Sequence, residues 1–402
     1  MPSTYRELAR HRGFAALFAS STAHTAAQTL ASLALGVLVY GRSGSPLLSS
    51  LAAFGPALAH LLGAATVLAG ADRLPPRGAL TALGLVSALA TAVQALPGLP
   101  LWALFAPLLP LGLAGCLAGG VRHGLLDELL GRDGYLLGRS VLNASTGVVQ
   151  IAAFAAGAAL TAALTPAGAL LLAAACHLLA AATARTGLAR RPARRAGAAT
   201  PAASWSATAR LWSDPGRRRV YLALWVPNGL IVGAESLFVP YDPAHAGLLL
   251  AASAAGMLAG DAAAARLLPA RLRGRLAIPL CALLAAPYLA FGLRPPLPVA
   301  SALAAVAALG YGSGLLLQQQ LLDRTPGDLT GHALGLHTSG MLAVQGLAAT
   351  AAGAAAQVTS PGTAMTLTAA ASLTVTALLW PRRGRAGSRI DRAYTICHPH
   401  LW

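Results

Sequence analysis

Apolar runs of roughly 18 to 25 residues recur from one end of this chain to the other, each long enough to cross a hydrocarbon core about 30 Å thick. That feature settles the solvent before any motif is read. A backbone in lipid has to satisfy its own hydrogen bonds, so such runs become helices. Composition agrees, with 56% hydrophobic and 10% charged residues among 402 and a mean hydropathy of +0.63. Soluble domains carry about 25% charged residues. So little chain lies between the runs that no separate soluble domain fits.

Runs and breaks together predict twelve spans, at 14–40, 46–70, 79–97, 100–123, 138–163, 166–185, 220–240, 246–266, 275–293, 296–320, 333–356 and 361–380. The arginines orient them. All 29 basic residues are Arg, and with the N-terminus in the cytoplasm only Arg42 and Arg294 fall in outside loops. This is the positive-inside pattern. It assigns the net charge of +17 to topology and gives no reason to invoke nucleic acid. Both termini are expected inside a plasma membrane. MPSTYRELARHRGFAALF starts like a signal sequence, but the apolar region after it is too long for one, so it reads as an uncleaved first span. Cys116, Cys176, Cys281 and Cys397 form no CxxC pair, which leaves neither a disulfide framework nor a zinc site.

The chain divides in two. LLDELLGRDGYLLGRSVLNASTGVVQIAAFAAG at 125–157 is echoed by LLDRTPGDLTGHALGLHTSGMLAVQGLAATAAG at 321–353, about 195 residues later. Both segments begin Leu-Leu-Asp, pass through Leu-Gly, and reach a Gln inside the next span, Gln150 and Gln345. The expected organisation is an N-terminal six-helix bundle (1–185), a basic cytoplasmic linker (186–219), a C-terminal six-helix bundle (220–381) and a disordered tail (382–402). The linker reads as a segment held at an anionic leaflet, partly amphipathic around Trp205 and Trp212. Two related bundles imply a site between them near the midplane.

GADRLPPRG at 70–78 resembles the loop between spans two and three that marks the major facilitator superfamily. Asp72, Arg73 and Arg77 occupy its acidic and basic positions, while Leu68 stands for the leading Gly and Pro75-Pro76 for the usual Gly-Arg. Locally the chain is similar to actinobacterial exporters of the enterobactin-exporter type, through YRELARHRGF at 5–14, YGRSGSPLLSSL at 40–51 and ADRLPPR at 71–77. The resemblance implies the major facilitator fold, alternating access and a monomer. Asp72, Arg73 and Arg77 would then form a cytoplasmic gate, with Asp261 as its counterpart after span eight. One exporter hallmark is absent: span five, VVQIAAFAAGAALTAAL, has no Gly-Pro pair.

Polar residues inside the spans are the candidate site. Glu235, in IVGAESLFVPY, lies about 22 Å along span seven at 1.5 Å per residue, in its outer third. It reads equally as a proton-coupling acid and as an outer-edge carboxylate bonded to a neighbouring helix; contact with a cationic substrate group is a third reading. Ser21, His24 and Gln28 share one face of span one, suited to a water-filled path or to bonds between helices. Asn143, Gln150, Asn228 and Gln345 complete the substrate-cavity candidates. Drug exporters of the superfamily often carry a functional Arg in span four, higher in it; Arg122, at the end of that span, reads more simply as an inner-interface anchor.

The function expected is a secondary transporter that exports a small amphipathic molecule, drug-like or siderophore-like, with protons as coupling ion and no cofactor. Import, uncoupled facilitation, or a sensor that has lost transport are the alternatives.

Overall fold

Where the apolar runs stand, the chain is helical. The computed structural model describes residues 5–66, 73–163, 165–193 and 201–379, and no strand occurs among them. A short α1 (Tyr5–Arg10) precedes α2 (Arg12–Ser43), α3 (Pro46–Thr66), α4 (Pro76–Gln94), α5 (Leu108–Ala163) and α6 (Pro166–Gly187). The linker contributes α7 (Pro201–Ser213). The second half comprises α8 (Pro215–Glu235), α9 (Phe238–Tyr241), α10 (Ala246–Arg266), α11 (Ala270–Ala285), α12 (Leu297–Ala308), α13 (Ser313–Asp323), α14 (Thr330–Val358) and α15 (Pro361–Leu379). Eleven stretches among the described residues are long and apolar enough to cross a bilayer, and α3 takes the place of the second span. The protein is a multi-pass helical membrane protein.

Caps set where several of the helices begin and end, and one of them carries α8 beyond its apolar stretch. α8 begins at Pro215, five residues before the apolar run, where the Asp214 carboxylate accepts from the Arg217 N–H at 2.6 Å. α6 begins at Pro166, at the expected start of its span, with Thr165 accepting from the Gly168 N–H at 3.3 Å. α2 ends at Gly44 in the left-handed region (φ 63°), its N–H returning to the Tyr40 carbonyl.

The helices depart from regular geometry in both halves, by different means. α5 holds two spans, joined at Gly131 with φ 64° and ψ −179°, a conformation open only to glycine. In the second half, two spans pass through 3₁₀ turns, at Ala286–Leu293 and Leu309–Gly312. Pro287 opens the first, and the second is the stretch Leu-Gly-Tyr-Gly.

The linker docks on the second half. Trp212 of α7 stacks on Trp225 of α8 with ring centroids 5.8 Å apart, and on Tyr221 at 6.0 Å. The buried Arg217 guanidinium donates to the carbonyls of Leu211 (2.9 Å), Arg210 (3.0 Å) and Arg324 (3.1 Å), tying α7 to α8 and to the end of α13. Trp205, on the same short helix, is 73% exposed.

The halves meet where α3 packs on α14 and the second limb of α5 packs on α10. At Gly353 of α14 a side chain would begin 2.8 Å from the Leu47 Cα, so this approach of α3 requires glycine. Among the described residues, most of the arginines fall at the helix ends on one side of the alternating spans, the Arg-rich face; Arg42 and Arg294 close α2 and the turn at Ala286–Leu293 on the opposite, Arg-poor face. Near the Arg-poor face a buried apolar cluster joins both halves, with Leu33 packed among Ile231, Phe238, Tyr288 and Ala352. Toward the Arg-rich face, the described apolar clusters stay within one half: Leu17, Val121 and Leu126 in the first, Val220, Leu224 and Leu317 in the second. The halves are sealed at the Arg-poor end.

Candidate functional site

Glu235 closes α8. Its Oε1 accepts from the Ser253 hydroxyl of α10 and from the Tyr288 hydroxyl at 3.2 Å. The buried Tyr311 hydroxyl lies against the same carboxylate without closing a hydrogen bond. All three neighbours belong to the second half, and both tyrosines sit in the 3₁₀ turns. The tighter coil at those turns breaks the regular α-helical phase of each span.

The next residue makes the seam. The Ser236 hydroxyl donates to the Gly233 carbonyl of its own helix at 2.7 Å, and the Ser50 hydroxyl of α3 lies against it, 3.1 Å from the Ser236 hydroxyl and 3.4 Å from the Ser236 carbonyl. Tyr40 reaches the Pro240 carbonyl at 3.5 Å, and Ser45 donates to the Gln357 side chain at 2.8 Å. The contacts of Ser50, Tyr40 and Ser45 join the two halves near the Arg-poor face.

Of the other sequence candidates, Asn228 and Gln345 meet directly, the Gln345 amide donating to the Asn228 oxygen at 2.8 Å between α8 and α14. His24 is buried against His177 of α6, ring centroids 5.1 Å apart. Gln28, one turn on, is exposed, and its amide nitrogen lies 3.5 Å from where a side chain on Gly115 would begin. Asn143 is exposed and Gln150 half-buried on the second limb of α5.

The gate motif is less complete. Asp72 lies outside the described residues. Arg73 is exposed in the turn before α4, and Arg77, in the first turn of α4, stands within the field of Arg185 and Arg190. Asp261 is half-buried on α10 and forms no ion pair among the described residues. The pair that does form on this face is Arg191–Glu128 at 2.6 Å, about one-third exposed on both sides. Exposed pairs of this kind contribute about 0–1 kcal/mol. The tail with Cys397 is outside the described residues. Among the rest, no three His, Cys, Asp or Glu side chains are grouped to hold a metal ion.

Sequence reasoning missed Ser50, Ser236, Ser253, Tyr288 and Tyr311. A signal existed for the tyrosines: Pro287-Tyr288 and Gly310-Tyr311-Gly312 each place a phenol beside a residue that perturbs helix inside an apolar run. A cleft of about 160 Å³ between α8, α11, α13 and α15, with Arg219 and Arg324 in its lining, contains none of the candidates except through Pro227, the neighbour of Asn228.

No family model and no curated protein sequence matches the chain. Solved structures do. A POT family transporter in complex with a thioalcohol-conjugated peptide superposes with a TM-score of 0.72 at 10% identity, covering 96% of this chain and 97% of that one. A bacterial homolog of the human lysosomal transporter Spinster, inward-facing and unoccupied, gives 0.69 at 13% identity over 92% and 95%. The human organic anion transporter MFSD10 gives 0.65 at 18% identity over 92% and 99%. The chain has the major facilitator fold. In that fold two six-helix bundles face each other, here α2–α6 and α8–α15. The Ser50–Ser236 seam is therefore a contact between bundles, and the Glu235 cage is internal to one of them.

Proposed function

We propose that the chain is a plasma-membrane secondary transporter of the major facilitator superfamily. It exports a small amphipathic molecule by alternating access, and proton entry drives it through Glu235. The Arg-rich face is cytoplasmic in this reading, so the seam at the opposite face makes the structure inward-facing. One observation carries the proposal: the last residue of α8 is the caged carboxylate, and the next residue holds the bundles together. An ionised Glu235 accepts hydrogen bonds from Ser253 and Tyr288. A protonated one becomes a donor itself, and its partners have to reorient. That change falls one residue from Ser236, which gives a local route from protonation to the opening of the seam. The peptide, lysosomal and organic-anion transporters of similar fold support transport as the class. The exporter type, drug-like or siderophore-like, rests on the sequence resemblance. The gate of Asp72, Arg73, Arg77 and Asp261 stands as part of the same proposal.

The test is accumulation of a dye and siderophore panel in an efflux-deficient host, with and without a proton uncoupler. Wild type lowers accumulation of at least one compound only with the gradient intact, and Glu235→Gln, present in the membrane at equal level, does not. Full export by Glu235→Gln would remove the coupling role. Accumulation raised by wild type would favour import, and an effect that survives the uncoupler would favour uncoupled facilitation.

A further inference from the structure

Arg122 stands 14 residues into α5 counted from Leu108, about 21 Å along the helix at 1.5 Å per residue. An arginine that only anchors a helix at the interface extends its guanidinium toward water. Arg122 is held otherwise. Its Nε donates to the Ala118 carbonyl at 3.1 Å, so the half-buried side chain lies back against the preceding turn of α5.

The surroundings explain why that position matters. His24 of α2, His60 of α3 and His177 of α6 all lie within the electrostatic range of this guanidinium. His24 Nε2 and His177 Nδ1 are buried with no hydrogen-bond partner among the described residues. Gly115, Gly119 and Arg122 follow one another at helical spacing on one face of α5. A side chain at Gly119 would meet open space, and at Gly115 it would meet the Gln28 amide nitrogen at 3.5 Å and His60 Nδ1 at 3.9 Å. Polar groups of α2 and α3 thus border a gap on the face of α5 that carries Arg122. No carboxylate pairs with Arg122 among the described residues; Glu128, toward the Arg-rich face, is taken by Arg191. An uncompensated charge at this depth costs several kcal/mol, and an anion entering the gap offsets that cost.

We propose that this cluster recognises an anionic group, a carboxylate or phosphate, carried by the transported molecule. Arg122 supplies a planar fork suited to either anion. Gln28 and His60 border the same gap at Gly115, and His24 and His177 lie within range of the guanidinium. The inference rests on the transporter reading and narrows its substrate class: the amphipathic molecule is an anion, held by the first bundle.

The experiment measures binding, so it does not depend on flux. The purified full chain in detergent is titrated with 1-naphthoate, 1-naphthyl phosphate, 1-naphthamide, 1-naphthylmethylamine and inorganic phosphate, and thermal unfolding is recorded. The expected result is saturable stabilisation by the naphthoate or the naphthyl phosphate and none by the amide or the amine. Arg122→Gln should weaken the anion's binding roughly tenfold or more, the loss of a charge-assisted hydrogen bond, and Arg122→Lys should retain part of it. Which of the two aromatic anions binds more tightly assigns carboxylate or phosphate; a shift with inorganic phosphate alone marks the phosphate as sufficient. Equal stabilisation by the amide or amine, no anion-selective shift in wild type, or an unchanged naphthoate shift in a folded Arg122→Gln protein would overturn the proposal. Anion binding with no flux in reconstituted vesicles would sink the transport reading and leave this site standing; flux without anion selectivity would do the reverse.

Discussion

Ser50 meets Ser236 across the seam between the bundles, its hydroxyl 3.1 Å from the Ser236 hydroxyl and 3.4 Å from the Ser236 carbonyl, while the Ser236 proton goes to the Gly233 carbonyl at 2.7 Å. Replacing both with cysteine places two thiols where the hydroxyls now touch, within reach of a disulfide. In a background without the other cysteines, mild oxidant should lock the double variant and stop flux, and reductant should restore it. Flux unaffected by a disulfide seen on a gel would mean that the seam does not open during the cycle.

Gly353 controls how closely α3 and α14 approach. Gly353→Leu drives a side chain into the Leu47 backbone, an overpacking that costs about 1–3 kcal/mol. The expected signature is a lower unfolding temperature together with faster labelling of a cysteine at Ser236 from the Arg-poor side. Wild-type labelling would show that the seam tolerates the wedge.

Glu235→Gln keeps an oxygen to accept from Ser253 and Tyr288, whereas Glu235→Leu leaves both hydroxyls without it. Stability should therefore fall little in the first variant and by about 1–3 kcal/mol in the second. Equal losses in denaturant or heat would mean that the cage depends on the charge and not on the acceptor.

Arg217 holds the linker by three carbonyls. Arg217→Ala strands all three and should destabilise the docking of α7 by about 2–4 kcal/mol. Protease access to 186–213 measures this directly: cleavage there should accelerate while the transmembrane part stays intact. An unchanged cleavage rate would show that the Trp212 stack alone keeps α7 in place.

Asp214 gives the second half a pH dependence. Its bond from the Arg217 N–H, with the nearby Arg217 charge, holds the carboxyl below the ordinary value of 3.8 against the opposing effect of desolvation. A depressed folded value means that the cap's contribution is complete above 3.8 and is lost as pH falls through the lower folded value. The start of α8 should fray in acid, and Asp214→Asn should flatten that dependence while keeping the cap. Amide exchange at Arg217 and Arg218 between about pH 2 and pH 5, around the ordinary aspartate range, reads it.

The spans were legible because length and apolarity decide them; those at 246–266 and 275–293 coincide with the observed stretches. Their ends were less so, since a cap such as Asp214 lies outside the apolar pattern and starts α8 five residues early. Rotation about each helix axis was hidden more deeply. Alanine and glycine cover every face of these helices, so no stripe shows which face meets which neighbour. For that reason Asn228 and Gln345 stood as two separate candidates, although they bond to each other, and Glu235 stood without Ser253, Tyr288 and Tyr311. The turn of the Arg122 side chain is likewise invisible in a sequence, where an arginine near the end of a span reads as an anchor.

The corners between the fourth and fifth spans of the two bundles are built differently. In the first half two helical limbs meet at a single non-helical residue, Gly131, with no loop between them. At the equivalent corner of the second half the chain leaves α13 at Asp323, takes a 3₁₀ turn at Gly327–Leu329 and only then enters α14. The second half also contains the two spans interrupted by 3₁₀ turns. A bending motion therefore has one point joint to use at this corner of the first bundle, whereas in the bundle that holds Glu235 it is shared among several softer ones.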